Sequence, residues 1–238
     1  MIYALDFDGV IVDSLNECLE TSFAAFLRVN QKSNSIYFDS PPVDAIYHFK
    51  KKRGFVRPSR NFFALWEWIL FHPERNFSMT TFESFSESLG SVVDDFEKEF
   101  LQIRSNAIKL NPLKFLEQNP LFYGVKETWQ NLPKPLYIVS TKDEDSISLI
   151  LESHSLTVDG IFGRGSGPKA ETLSRLANLN ETSVNDVFFV DDNIQHAHDV
   201  TVIGAKVALA MWGYGPFEKF MGSKLQSFTE VLEFFSDN

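Results

Sequence analysis

Three short apolar runs in this chain lead straight into side chains that carry chemistry, and they lie far apart in the sequence. Ile2-Tyr3-Ala4-Leu5 leads into Asp6-Phe7-Asp8-Gly9, Leu136-Tyr137-Ile138-Val139 into Ser140-Thr141-Lys142, and Val187-Phe188-Phe189-Val190 into Asp191-Asp192. Short apolar runs bounded by turn-forming groups fit strands buried on both faces. Gly160-Ile161-Phe162 and Ala205 to Ala210 read as two more. Helical patterns separate them, over Ile147 to Leu151, Lys169 to Ala177 and roughly 194–203. This alternation predicts an α/β fold, a doubly wound five-stranded parallel sheet with polar groups gathered at the carboxyl ends of its strands.

Residues 15–109 read differently. A helix is expected from about Ser14, with Leu15, Cys18, Leu19, Phe23, Phe26 and Leu27 at helical spacing. Gln31 to Pro42 is polar and holds prolines, as a loop does. Helical patterns follow around 43–53, 59–71, 80–89 and 91–108, the third with Thr80 and Glu83 at capping-box spacing. No strand pattern interrupts them. The expected division is therefore 1–14 plus 110–238 as the α/β core, with 15–109 as an inserted helical domain.

The charge balance narrows the partners. Acidic residues number 32 against 22 basic ones, for a net charge of -10, which disfavours nucleic acid and anionic membranes as partners. The single cysteine, Cys18, excludes an internal disulfide and a multi-cysteine zinc site. No apolar run approaches the roughly 18 residues a membrane helix needs. The start of the chain has no basic region followed by a long apolar stretch, so a cytoplasmic setting is expected. Oligomeric state is left open.

Side chains alternate along an extended segment, so Asp6 and Asp8 face the same way while Phe7 packs inward. Two carboxylates on one face repel unless a cation stands between them. Mg²⁺ suits such a site, with Asp192 completing it and Asp191 acting through water. A carboxylate can attack phosphorus, and a hydroxyl, backbone amides and a lysine can hold the phosphoryl oxygens. Ser140, the neighbouring Thr141 and Lys169 are the candidates for that second task.

Taken in order, these segments resemble the four motifs of the haloacid dehalogenase superfamily of phosphohydrolases. Leu5-Asp6-Phe7-Asp8-Gly9-Val10 is similar to the first motif, Val139-Ser140 to the second, Lys169 to the third and Val190-Asp191-Asp192 to the fourth. The resemblance implies sheet order 5-4-1-2-3 and a helical cap inserted after the first motif. It implies Asp6 as nucleophile and Asp8 as general acid/base. Ser140 would hold the phosphoryl group, and Lys169 would neutralise charge around Asp6. Mg²⁺ would be held by Asp6, the Asp8 carbonyl and Asp192, with Asp191 behind them. The substrate would be a small phosphorylated metabolite, hydrolysed through an aspartyl phosphate. A sugar-phosphate mutase of the same family, or a phospho-accepting signalling domain without turnover, are the alternatives.

Other residues read more plainly. Lys50 to Arg53 ends a helix with cations, and Arg57 and Arg60 after it are candidates for binding an anionic part of the substrate. Lys142 competes with Lys169 as the phosphate lysine. Gly163 to Gly167 reads as a flexible lead into the Lys169 helix. His196 stands where many relatives carry an acid. With His198 only two positions on, the pair cannot ligate one ion together, and both read as surface or helix-end residues.

Overall fold

The computed structural model describes residues 1–31, 40–216 and 220–236, so most of the expected loop from Gln31 to Pro42 lies outside the described residues. The chain divides into two compact units, residues 15–118 and residues 1–14 with 119–238.

The first unit is helical. It comprises α1 (Leu15–Gln31), α2 (Val43–Lys52), α3 (Asn61–Phe71), α4 (Met79–Ser88), α5 (Val92–Leu110) and α6 (Pro112–Glu117). Helix α3 buries Phe62, Phe63, Leu65, Trp66, Trp68 and Ile69, an apolar surface on nearly every side, as a central helix requires. Phe49 stacks on Trp66 with ring centroids 4.7 Å apart, and Phe23 meets the same ring edge-on at 4.9 Å. The indole N–H of Trp66 donates to Ser22 Oγ at 2.8 Å, so the buried ring leaves no unpaired donor. The cap of helix α4 lies two residues before the expected Thr80. It is Ser78, exchanging hydrogen bonds with Thr81, because a hydroxyl at the third helical position closes the box as a carboxylate would.

One buried ion pair joins α1 to α5. Arg104 Nε and Nη2 donate to the two oxygens of Glu17 at 2.9 Å each, and Thr21 Oγ1 donates to Glu17 Oε1 at 2.9 Å. The guanidinium also lies over the Phe100 ring at 4.5 Å. Such a two-pronged, hydrogen-bonded geometry offsets the desolvation that burial imposes on both charges.

The second unit holds the sheet. Its strands are β1 (Ile2–Leu5), β2 (Leu136–Val139), β3 (Gly160–Phe162), β4 (Val187–Asp191), β5 (Lys206–Ala210) and β6 (Ser223–Leu225). All are parallel, in the order β3-β2-β1-β4-β5-β6. The sheet therefore has six strands, not the five expected. The additional strand, β6, continues the sheet beyond β5 with Ala208 opposite Ser223. It is three residues long and exposes Ser223 and Lys224, a blunted edge with no apolar pattern to mark it.

Side chains alternate between two packed faces. Ile2, Ala4, Val187 and Phe189 join a core with α9 (Lys169–Leu179) and α10 (Ile194–Val202). Tyr3 and Phe188 turn the other way, against Phe234 and Phe235 of the last helix (Val231–Ser236). Two further helices, α7 (Val125–Trp129) and α8 (Glu144–Ser153), belong to this unit. Among the described residues, no helix is long and apolar enough to cross a membrane.

Candidate active site

Strand register brings the acids together. Leu5 lies opposite Val190 on one side and Ile138 on the other, so Asp6 leaves the sheet beside Asp191. The Asp6 N–H still donates to the Val190 carbonyl at 2.9 Å. The chain then turns sharply. Ile11 and Val12 donate N–H groups to the Phe7 carbonyl at 2.9 and 3.1 Å, and Gly9 donates to Val12 at 3.0 Å. Gly9 has φ +84, the left-handed region where a side chain is strained. Phe7 is fully buried, Asp6 before it is buried, and Asp8 after it is half-buried.

Lys169 opens α9 and reaches both buried acids. Its Nζ lies 2.8 Å from Asp6 Oδ2 and 2.7 Å from Asp191 Oδ2. Burial alone would lower the lysine, but Asp191 and Asp6 outweigh it and hold the ammonium above its ordinary value. Asp191 responds in the opposite sense. Burial opposes its charge, yet Lys169 and then His196 hold it well below the usual carboxylate range. Asp6 is pushed up, because burial and the Asp191 charge together exceed the pull of Lys169.

His196 is not a surface residue. Its side chain is 13% exposed, and Nδ1 lies 3.4 Å from Asp191 Oδ2. Asn193 places it by capping α10, its side chain accepting the N–H groups of Gln195 and His196, while its own N–H donates to Asp191 Oδ1 at 2.8 Å. One ligand atom each from Asp6, Asp191 and His196 lie within 4.8 Å of one another. The Lys169 ammonium already bridges the two carboxylates of that trio. The oxygen that fits a metal ion is instead Asp6 Oδ1, buried and without a hydrogen-bond partner.

Asp192 sits on a seat made of glycines. A Cβ on Gly9 would stand 2.3 Å from its Oδ2, and one on Gly213 would stand 2.3 Å from its Cβ. The Tyr214 N–H donates to Asp192 Oδ2 at 2.7 Å. The Tyr214 hydroxyl accepts the Ser14 N–H at 2.7 Å and donates to Asp13 Oδ1 at 3.1 Å, tying this loop to the end of the first motif segment.

The end of β2 supplies a hydroxyl and a second buried lysine. Ser140 is buried, and its N–H donates to the Phe162 carbonyl at 2.9 Å. Thr141 follows it, half-buried. Lys142 Nζ lies 3.1 Å from Asp8 Oδ1 and donates to Asn119 Oδ1 at 3.5 Å. The two lysines are therefore divided between the two aspartates. The glycine-rich segment is pinned rather than loose, since Gly163 donates to Glu144 Oε1 and Arg164 to the Lys142 carbonyl, each at 3.0 Å.

Arg57 and Arg60 belong to the helical unit, where they line a cleft of about 430 Å³ with Glu83, Glu87, Asp94 and Phe82. Arg57 is paired with Glu83 in that cleft. The sequence marks neither Asn119 nor Tyr214, whose partners lie on distant segments, and it gives His196 as a surface or helix-end residue with no sign of its contact with Asp191.

No family model and no curated protein matches this sequence. Solved structures do. A protein from Haemophilus somnus 129pt described as a predicted phosphoglycolate phosphatase aligns with TM-score 0.67 at 15% identity, over 98% of this chain and 96% of that one. A haloacid dehalogenase-like family hydrolase from Streptococcus pneumoniae aligns with TM-score 0.62 at 18% identity, over 98% and 97%. The fold is that of the haloacid dehalogenase-like hydrolases. A protein from Clostridium acetobutylicum described as a predicted phosphatase shares this haloacid dehalogenase-like fold, at TM-score 0.60 and 15% identity over 98% and 96%.

Proposed function

We propose that this chain is a Mg²⁺-dependent phosphatase that hydrolyses a small phosphomonoester in the cytoplasm through an aspartyl phosphate on Asp6. The observation that carries the reading is the meeting of Asp6 and Asp191, at the ends of adjacent strands, with Lys169 at the start of α9, Asp6 Oδ1 being buried and unpartnered. The descriptions of the structures sharing the fold support the same class of reaction.

In the first step a carboxylate oxygen of Asp6 attacks phosphorus as the bond to the leaving oxygen breaks, and Asp8 gives that oxygen a proton. In the second, Asp8 takes a proton from water, the water oxygen attacks phosphorus, and Asp6 leaves as a carboxylate. Ser140 and Thr141 donate to the phosphoryl oxygens, and Lys169 holds Asp6 in line while offsetting the charge around it. Asp6, the Asp8 carbonyl and Asp192 would hold Mg²⁺, with Asp191 anchoring Lys169 behind them. When bound, the ion reduces repulsion between the incoming carboxylate and the phosphoryl oxygens. The helical unit acts as the cap, with Arg57 and Arg60 as its candidates for an anionic substrate group.

A phosphate-release screen over phosphorylated metabolites, run with Mg²⁺ and then with EDTA, tests the reading. Release that EDTA abolishes supports it. Isomerisation without net release, or silence across the panel, contradicts it.

A further inference from the structure

We propose that Lys142 is a positioning residue for Asp8, holding its carboxylate for proton transfer with the leaving oxygen. The proposal rests on the hydrolase reading above. Among the described residues only Lys142 and Lys169 are buried lysines. A buried ammonium needs a counter-charge, because desolvation penalises it heavily when unpaired. Lys169 finds its own in Asp6 and Asp191, and Lys142 finds its own in Asp8.

The geometry gives that pair a direction. The Lys142 side chain has no exposed surface, and Nζ lies 3.1 Å from Asp8 Oδ1. The same oxygen is buried and makes no hydrogen bond, so the ion pair is what orients it. Lys142 is itself held at both backbone ends. Its N–H donates to Ser140 Oγ at 3.4 Å, and its carbonyl accepts the Arg164 N–H at 3.0 Å. One turn therefore fixes the Ser140 hydroxyl and, through Lys142, the Asp8 carboxylate, two groups that must stand on either side of the same phosphoryl group.

Leaving-group dependence separates positioning from mere structural support. As the phosphorus–oxygen bond breaks, an alkoxide needs the Asp8 proton, whereas a dinitrophenolate departs without it. The Lys142→Met protein is expected to lose about 10²-fold in kcat/KM on an alkyl phosphomonoester, within the range of a lost general acid. On dinitrophenyl phosphate it is expected to keep kcat/KM, which reports the first step and not the later hydrolysis that also uses Asp8, within about 3-fold, which also shows that it folds. Ethylammonium added to Lys142→Ala is expected to restore part of the alkyl-ester rate alone. Equal loss on both esters, or no loss on either, overturns the proposal and leaves the hydrolase reading standing. A wild-type protein that releases phosphate from neither ester overturns both.

Discussion

The Lys169 ammonium stands 2.8 Å from Oδ2 of Asp6, while Oδ1 of that same carboxylate meets no hydrogen-bond donor. The carboxylate is thus divided, with one oxygen paired to the ammonium and the other without a donor. Lysine is what makes this arrangement tolerable. Two buried carboxylates at adjacent strand ends would repel each other without it.

Replacing Lys169 with Met is expected to lower kcat by about 10²–10³, the range for loss of one preorganised electrostatic group. The KM should move less. Steady-state kinetics beside a thermal unfolding curve check this, since the variant also leaves Asp6 and Asp191 facing each other without the bridging ammonium.

Gly9→Ala is expected to be damaging in two ways. A side chain at φ +84 costs about 1–2 kcal/mol. The new Cβ would also meet Asp192 Oδ2 at 2.3 Å and displace it. The measurement is phosphate release against Mg²⁺ concentration. The half-saturating concentration should rise at least about tenfold, as when groups that orient a metal ligand are lost.

Arg104→Met leaves Glu17 buried without its two-pronged partner. The expected loss is about 3–5 kcal/mol in denaturant unfolding. A Glu17→Gln, Arg104→Met double variant should recover part of it, because the uncompensated charge is then gone.

Glu67 is half-buried on α3, and burial pushes its carboxyl above the usual range. The folded chain then binds this proton more tightly than the unfolded one. The contribution is complete below the ordinary value of 4.5 and is lost as pH rises through the raised one. Glu67→Gln is expected to melt about 1–3 °C higher than wild type at pH 7, with the difference vanishing near pH 4. Melting curves at the two pH values decide it.

Much of the fold was legible because the central strands are buried on both faces. β1 and β4 are uninterrupted apolar runs, and burial is what such runs encode. β6 was not legible, since an edge strand of Ser-Lys-Leu has only Leu225 to bury. α6 was missed for a different reason. Pro112 occupies the first turn of a helix that Asn111 caps, and its six residues are too few to show a helical period. Candidate acids could be picked out because strand ends mark where side chains gather. Their partners could not. The contact of Lys142 with Asp8 joins the ends of β2 and β1, and His196 meets Asp191 only through the turn that Asn193 caps. The first pairing comes from strand register and the second from a local turn, and apolar runs specify neither.

The central claim is a covalent bond between phosphorus and Asp6. Acid-quenched protein taken during turnover, reduced with tritiated borohydride and digested, locates any acyl phosphate as labelled homoserine. Label is expected at position 6, lost in Asp6→Asn together with phosphate release. Steady phosphate release with no label at position 6, or undiminished turnover by Asp6→Asn, would contradict it.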